Sequence, residues 1–574
     1  MTGVSYPEVV ARNRTSTSRK QSGSSWGCVD VKSLIAIAVV LFCSCSVDAG
    51  GPLSGKVDAQ SPAGLDAQKH ADVGPVVLDG GVSVDAEVGV DGERPASHDA
   101  GAPMTCIGAI GTRTLRGTAV DDHIGETAAE PAPVDLTAAL VNGLVLTPAG
   151  CFASYPGTGT ATGSFSIRQL PPGPVYLRIA LDEAPTYLVT ELSEIELGSA
   201  VSGRRDLVRA APNTSVDLRV SGLTPWQIDD DMEVVSFGAR SFAFGLPFGL
   251  PSSPNVGDTF LQASIGYTAA HFSEPFLIDS TRGDKIFILH LMTRRSGGLT
   301  YQSVERSARL DGITMSDAQS VAITATVTAD GTIENTSFTW RRSQFSSAAA
   351  QVNPSSAMTS GFLAVEALPE VSRGFYDSAA DLVELLSNPS DSSDLSGAFE
   401  YRNPFPARVE RFMTTSFSIE IPDALPGTSE HFFSTFVARS VALAGSGSST
   451  EIVVDTGPVQ TLLINGLSAF DDHAGVGLSP TVSWSVPAGG RPGVYSVQIH
   501  RYKVVQRKTE ETFVGKVLTT DTQVRLPPGL LSIGASHRIV VSAVTSGDVD
   551  FARAPFRLGL PDSYYPVVSG LIVP

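Results

Sequence analysis

Few residues in this chain combine the types and spacing that chemistry demands. Asp229-Asp230-Asp231 beside Trp226 is the densest group, since carboxylates coordinate calcium and an exposed indole stacks on a sugar ring. The competing reading, a solvated acidic loop, is preferred because carboxylates sit at surfaces by default. The three aspartates are therefore weak metal candidates, and no metal or cofactor is expected. Glu274, Asp279 and Asp284 lie near one another, but paired acid chemistry needs a set separation that sequence spacing does not fix. His271, His290 and His431 are isolated; the last two fall in or beside expected strands and read as structural. Asp471-Asp472-His473 offers one imidazole and two adjacent carboxylates, a poor zinc set, and reads as a loop. Gly157, Gly159 and Gly163 have the spacing of a phosphate-cradling loop without its lysine or following helix, so a turn is expected there. Residues 212–455, where chemistry would be expected to show, contain no G-x-S-x-G, H-E-x-x-H or C-x-x-C. No catalytic residue is assigned.

The five cysteines, Cys28, Cys43, Cys45, Cys106 and Cys151, are more informative. Ser33 to Cys45 is an apolar run too short to span a bilayer, which needs roughly 20 residues. With Lys32 before it and small residues at its end, it has the layout of a secretory signal. Phe42-Cys43-Ser44-Cys45 resembles a bacterial lipobox, with Cys45 as the lipidated residue. A plain signal peptide or an uncleaved anchor is the alternative. By the same resemblance, Ser46 after the cysteine points to the outer membrane rather than the inner. Residues 1–32 are polar and longer than a signal needs, and Val31 is the expected start of translation. Processing at Cys45 leaves one pair, Cys106 and Cys151, expected as a disulfide in an oxidising compartment, with two buried thiols as the alternative.

Between Ser46 and Thr105 there is no Phe, Trp or Tyr, and an Asp-Ala beat recurs among Gly, Pro, Val and Ser. Such a segment cannot bury enough apolar surface to offset its ordering entropy and is expected to be disordered. As a flexible coil it would reach on the order of 40 Å. It resembles the linkers of surface lipoproteins. The chain of 574 residues carries a formal charge of −19, and it lacks the Lys/Arg stripe that phosphate binding needs, so no nucleic-acid partner is expected.

Beyond the linker the pattern is all-β, read as tandem β-sandwiches. From Thr162 to Ile179, Phe165 and Ile167 share one strand face. Pro171-Pro172-Gly173-Pro174 turns the chain, and Val175, Leu177 and Ile179 share the next. This stretch resembles the carboxypeptidase-regulatory-like (transthyretin-like) β-sandwich, placed at 106–211, whose members are generally structural or binding modules. Residues 212–455 contain short strands bounded by turn residues, with a helix expected over Asp377–Leu386, where Ala380, Val383 and Leu386 have helical spacing. One large sandwich, two small ones or a small propeller all remain open there.

Pro480-Thr481-Val482-Ser483-Trp484, Val494 to Ile499, Thr522 to Gly529 and Arg538 to Val544 resemble successive strands of a fibronectin type III sandwich, placed at 456–574, with Trp484 as its core tryptophan. His537 stands where that family has a tyrosine. Lys503, Arg507 and Lys508 read as a solvated hairpin. The expected protein is extracytoplasmic, held to the membrane by lipid on Cys45 (residues 1–45 leader, 46–105 linker). It acts as a binding, adhesion or structural module toward a polysaccharide or an envelope protein. The alternative is a secreted hydrolase of glycans or other polymers with its catalytic unit in 212–455.

Overall fold

The computed structural model describes residues 106–180, 184–246, 254–268, 272, 274–371, 378–388, 391–425, 431–443, 449–505, 508–547 and 549–574. The leader, Cys45 and the linker lie outside the described residues. The fold is all-β, built of packed sheets, with one short helix, Arg342–Ala349, among the described residues.

In the first part, strands Ser164–Leu170 and Val175–Ala180 flank the proline-rich turn, as their alternation predicts. Arg113–Thr118, Ser164–Leu170 and Phe152–Gly159 pair antiparallel on one side. Leu140–Leu146, Val175–Ala180 and Thr186–Thr190 continue from Phe152–Gly159 on the other. Leu115, Phe165, Ile167, Val175 and Leu177 fill the space between them. Cys106 and Cys151 are bonded, with Cα atoms 6.2 Å apart, fixing the start of the chain to the head of the Phe152–Gly159 strand.

The last part packs Gln460–Ile464, Thr481–Ser485 and Gln523–Arg525 over Val494–Val505, Lys508–Thr519 and Ser536–Ser546. Trp484 and Tyr495 meet edge to face at 5.2 Å within a core that includes Val497, Ile539 and Val541. His537, in the tyrosine's place, is wholly buried. Its Nδ1 lies 2.9 Å from the Ala535 carbonyl, and Ser532 N–H donates to its Nε2 at 3.4 Å.

The middle part is one long sheet with two smaller sheets laid on it. The Ile286–Ser296 strand explains the arrangement. Ile286 and Ile288 face a core with Val216, Leu218 and Ile265 from the sheet of Ser215–Ser221, Phe260–Gly266 and Ser320–Thr326. Phe287, Leu289 and Leu291 face the opposite core with Phe338, Trp340 and Phe399 from the sheet of Thr332–Trp340, Leu395–Asn403 and Ser449–Ile452. Being buried on both faces, such a strand reads as a continuous apolar run rather than an alternating one.

The helix expected over Asp377–Leu386 is overturned over its described residues, 378–386: Ala380–Ser387 is a strand, pairing with Ala357–Pro369 and with Leu299–Leu310. Ala380 to Leu385 are all buried, so the spacing taken for a helical face is a strand covered on both sides.

The parts do not follow one another in space as they do in sequence. Thr186–Thr190 of the first part pairs parallel with Lys508–Thr519 of the last. Asp562–Val568 at the end of the chain pairs with His431–Leu443 of the middle. Through these two joints, hydrogen-bonded strands run continuously from first part to last to middle. The cores mix accordingly: Leu144, Tyr176 and Tyr187 enter the last core, while Val494, Leu518 and Val544 enter the first.

Candidate functional site

The acidic triplet is mostly interior. Asp229 is exposed, but Asp230 and Asp231 are buried because the Asp231–Ser236 strand begins there and pairs with Ile286–Ser296. Asp230 Oδ2 accepts the Gln227 N–H at 2.8 Å, which closes the preceding turn, and lies 3.4 Å from His290 Nε2. The His290 ring is stacked on the Trp226 indole, centroids 5.2 Å apart and planes within 9°. Asp231 Oδ1 accepts from the Met232 N–H at 2.6 Å. The expected solvated loop is thus confined to Asp229. Trp226 is 3 % exposed, so it is a core residue rather than a platform for sugars. No group of three His, Cys, Asp or Glu among the described residues is arranged to hold a metal ion.

Glu274, Asp279 and Asp284 are drawn into separate tasks. Asp279 caps the short turn Ser280–Arg282, accepting from the Thr281 hydroxyl at 2.7 Å and N–H at 2.9 Å, and these bonds hold it below the usual carboxylate range. Glu274 meets Arg240 at 3.0 Å, both buried. Asp284, 3 % exposed, accepts from the Asp279 N–H at 2.9 Å and from Arg204 Nε at 3.1 Å; burial nevertheless raises its pKa. A buried pair of this kind contributes little net stability, yet losing one partner is expensive because the other is left charged and dry.

Of these groups, Asp284 stands beside Gly238, in the turn between Asp231–Ser236 and Ser241–Ala243. From the first part of the chain, Glu126 Oε2 accepts the Gly238 N–H at 3.3 Å, and the Arg204 N–H donates to the Gly238 carbonyl at 2.8 Å. Arg204 also reaches the Leu277 carbonyl at 3.0 Å. A Cβ added to Gly238 would stand 2.3 Å from Asp284 Oδ1, so glycine lets the Asp284 carboxylate approach this closely. Burial pushes the Glu126 carboxyl up to about 7, against the pull of Lys285 and the Gly238 N–H. Tyr267 closes the floor, its hydroxyl donating to the Ser241 hydroxyl or the Phe276 carbonyl, both at 2.6 Å. This seam can join two parts of the chain and respond to protons. Sequence reasoning missed Glu126 and Arg204, since 158 residues separate Glu126 from Asp284. The Arg204-Arg205-Asp206 run was the one local signal.

Open depressions among the described residues include two of note. One, of about 360 Å³, lies over the outward face of the first sandwich, among Arg116, Thr118, Thr158, Thr160, Ser164 and Glu194. The other, of about 400 Å³, lies between helix Arg342–Ala349 and residues 454–460 and is lined by uncharged groups, among them Gln344, Gln351 and Gln460. The first sets hydroxyl groups around the exposed Arg116–Glu194 pair, 3.8 Å apart, and the second offers hydroxyl and amide groups.

The remaining candidates take structural places. Lys503 pairs with Glu510 at 3.0 Å. Asp472 Oδ1 accepts the Leu571 N–H at 2.8 Å, and His473 Nε2 lies 2.6 Å from the Ser468 carbonyl. Gly157 and Gly159 end a strand, and Gly163 follows in a turn with φ of 76°. His271 lies outside the described residues.

No protein-family model matches the chain, and no curated protein matches it. Among solved structures, the chicken CNTN1 FN1-FN3 domains are similar at 10% identity, covering 79% of this chain and 99% of that one, with a TM-score of 0.11. The native conformation of E. coli alpha-2-macroglobulin is similar at 11% identity over 81% of this chain and 28% of that one, with a TM-score of 0.13.

Proposed function

We propose that this chain is a non-catalytic, lipid-anchored module that holds fused β-sandwiches outside the cell and binds a polysaccharide or an envelope protein. The observation that carries this reading is the pair of backbone joints, Lys516–Leu518 with Thr186–Leu188 and Arg439–Val441 with Asp562–Tyr564. They turn separate sandwiches into one hydrogen-bonded body, which suits a displayed structural or adhesive element. Further support comes from the carboxylates, which are spent on capping and on ion pairs at a seam between parts. On this reading residues 106–211 are a carboxypeptidase-regulatory-like module and 456–574 a fibronectin type III-like one. The lipobox-like Phe42–Cys45 followed by an aromatic-free linker supplies the mooring, since several buried acyl chains together hold a protein stably at a membrane.

The test is palmitate labelling of cells expressing the full chain, followed by membrane fractionation and surface proteolysis. Label on wild type, its loss in Cys45→Ala, and protease-accessible residues 106–574 are expected. Unlabelled wild-type protein in the cytosol would refute the anchor. Turnover of a polymer substrate by the purified protein, abolished by one carboxylate substitution, would refute the non-catalytic part.

A further inference from the structure

We propose that the contact between Glu126 and Gly238 is a proton-controlled latch, which holds the first part of the chain against the middle part most tightly at acid pH and loosens as pH rises toward neutrality. Glu126 sits in the turn between strands Val120–Ile124 and Ala129–Pro133, which form a small sheet with Ala200–Ser202. That sheet reaches into the middle part: Ile124 and Ala200 belong to the same core as Val235, Phe237 and Phe242. Two of its polar fastenings meet at Gly238. Glu126 receives the Gly238 N–H, and Arg204, two residues beyond Ser202, clasps the Gly238 carbonyl and Asp284.

Two carboxyl groups therefore flank one glycine, and both are buried. A neutral Glu126 is compatible with an ionised Asp284 at that distance from water; an ionised Glu126 adds a second dry negative charge. The charges facing Glu126 come from several elements. Asp284 repels the ionised form, while Lys285 beside it and Arg309 on the Leu299–Leu310 strand favour it. Arg204 is engaged by Asp284 and Asp206, and Arg240 by Glu274. His123, on the same small sheet, lies near Asp121, Arg205, Arg240 and Glu130, and burial lowers its pKa. Burial outweighs the cations, so the proton is retained to about pH 7 when the seam is closed and released at the ordinary 4.5 when it is open.

The sign follows from linkage. The open form sheds the proton first, so opening becomes more favourable as pH rises from about 4.5 to about 7 and is constant above that. Between pH 5.5 and 8.5 the two values give a change of about 30-fold in the opening equilibrium.

Hydrogen exchange of the full chain, corrected for intrinsic rates, reads this equilibrium directly. Protection of residues 120–133 and of the Gly238 amide is expected to fall about 30-fold from pH 5.5 to 8.5 in wild type. It is expected to stay unchanged in Glu126→Gln, whose side chain mimics the protonated acid. Equal protection at the two pH values in wild type, or the same fall in Glu126→Gln, would overturn the latch. Should Glu126→Gln not fold, the wild-type profile decides, because a latch set by Glu126 flattens above pH 7. A fall that continues to pH 9 would overturn it.

Discussion

Replacing Gly515 by alanine tests whether the first and last sandwiches are joined through their backbones. Gly515 opens the stretch of Lys508–Thr519 that pairs with Thr186–Thr190. A Cβ at this position would stand 2.7 Å from the Pro185 carbonyl oxygen and 2.7 Å from Leu530 Cδ2. The leucine can turn aside, but the carbonyl moves only with its strand. That carbonyl accepts the Lys516 N–H at 3.2 Å, already near the limit of a hydrogen bond, so a retreat of half an ångström breaks it. Overpacking a filled site costs about 1–3 kcal/mol, and the lost bond adds about 1 kcal/mol. A local loss of about 2–4 kcal/mol corresponds to roughly two orders of magnitude in hydrogen-exchange protection. The loss should be confined to peptides 184–190 and 508–519, leaving Ala357–Pro369 in the middle sheet as it was. Protection in those two peptides within threefold of wild type would refute the joint and the continuous sheet built on it.

The Cys106–Cys151 bond closes a loop spanning 45 positions, which stabilises the first sandwich by about 4 kcal/mol on the chain-entropy account. Cys151→Ser should show that loss in urea unfolding, and wild type under reductant should match it; an unchanged midpoint would refute the estimate. His537, pushed down to about 4 by burial, is neutral when folded, whereas the unfolded chain protonates at 6.5. Stability of the last sandwich is therefore full above pH 6.5 and falls by about 3 kcal/mol as pH drops to 4. Glu126 acts in the opposite sense between pH 4.5 and 7, so the comparison of His537→Phe with its parent belongs on a Glu126→Gln background. A parent that keeps its stability down to pH 4 would refute it.

Strands with one wet face were legible in the sequence. Phe165 and Ile167 alternate with polar neighbours in this way; Val175, Leu177 and Ile179, beyond a proline-rich turn, alternate with Tyr176 and Arg178, although Tyr176 is buried in the last core. Val494–Val505 and Ser536–Ser546 were legible for a related reason, though Ser496, Gln498 and Ser542 on their second face are buried as well. The middle sheet hid itself by being covered on both sides. Ala380–Ser387 lost its alternation and fell by chance into helical spacing, while helix Arg342–Ala349, rich in serine with Phe345 as its one large apolar residue, carried no stripe to detect. The seam was illegible because its members lie far apart in sequence: Glu126 and Arg204 become neighbours of Gly238 only once the small sheet enters the middle core. The burial of Asp230 was likewise invisible, since an acidic triplet looks wet until a strand is known to begin inside it.

The position of the Cys106–Cys151 bond has a mechanical consequence. On the proposed anchoring, a pull arriving from residues 46–105 would enter the folded body at residue 106 and pass through the sulfurs to the head of the Phe152–Gly159 strand. Residues 107–150, which include strands Arg113–Thr118 and Leu140–Leu146, hang outside that load path. Tension on the tether would have to shear Phe152–Gly159 from its neighbours before it could peel the small sheet that bears Glu126.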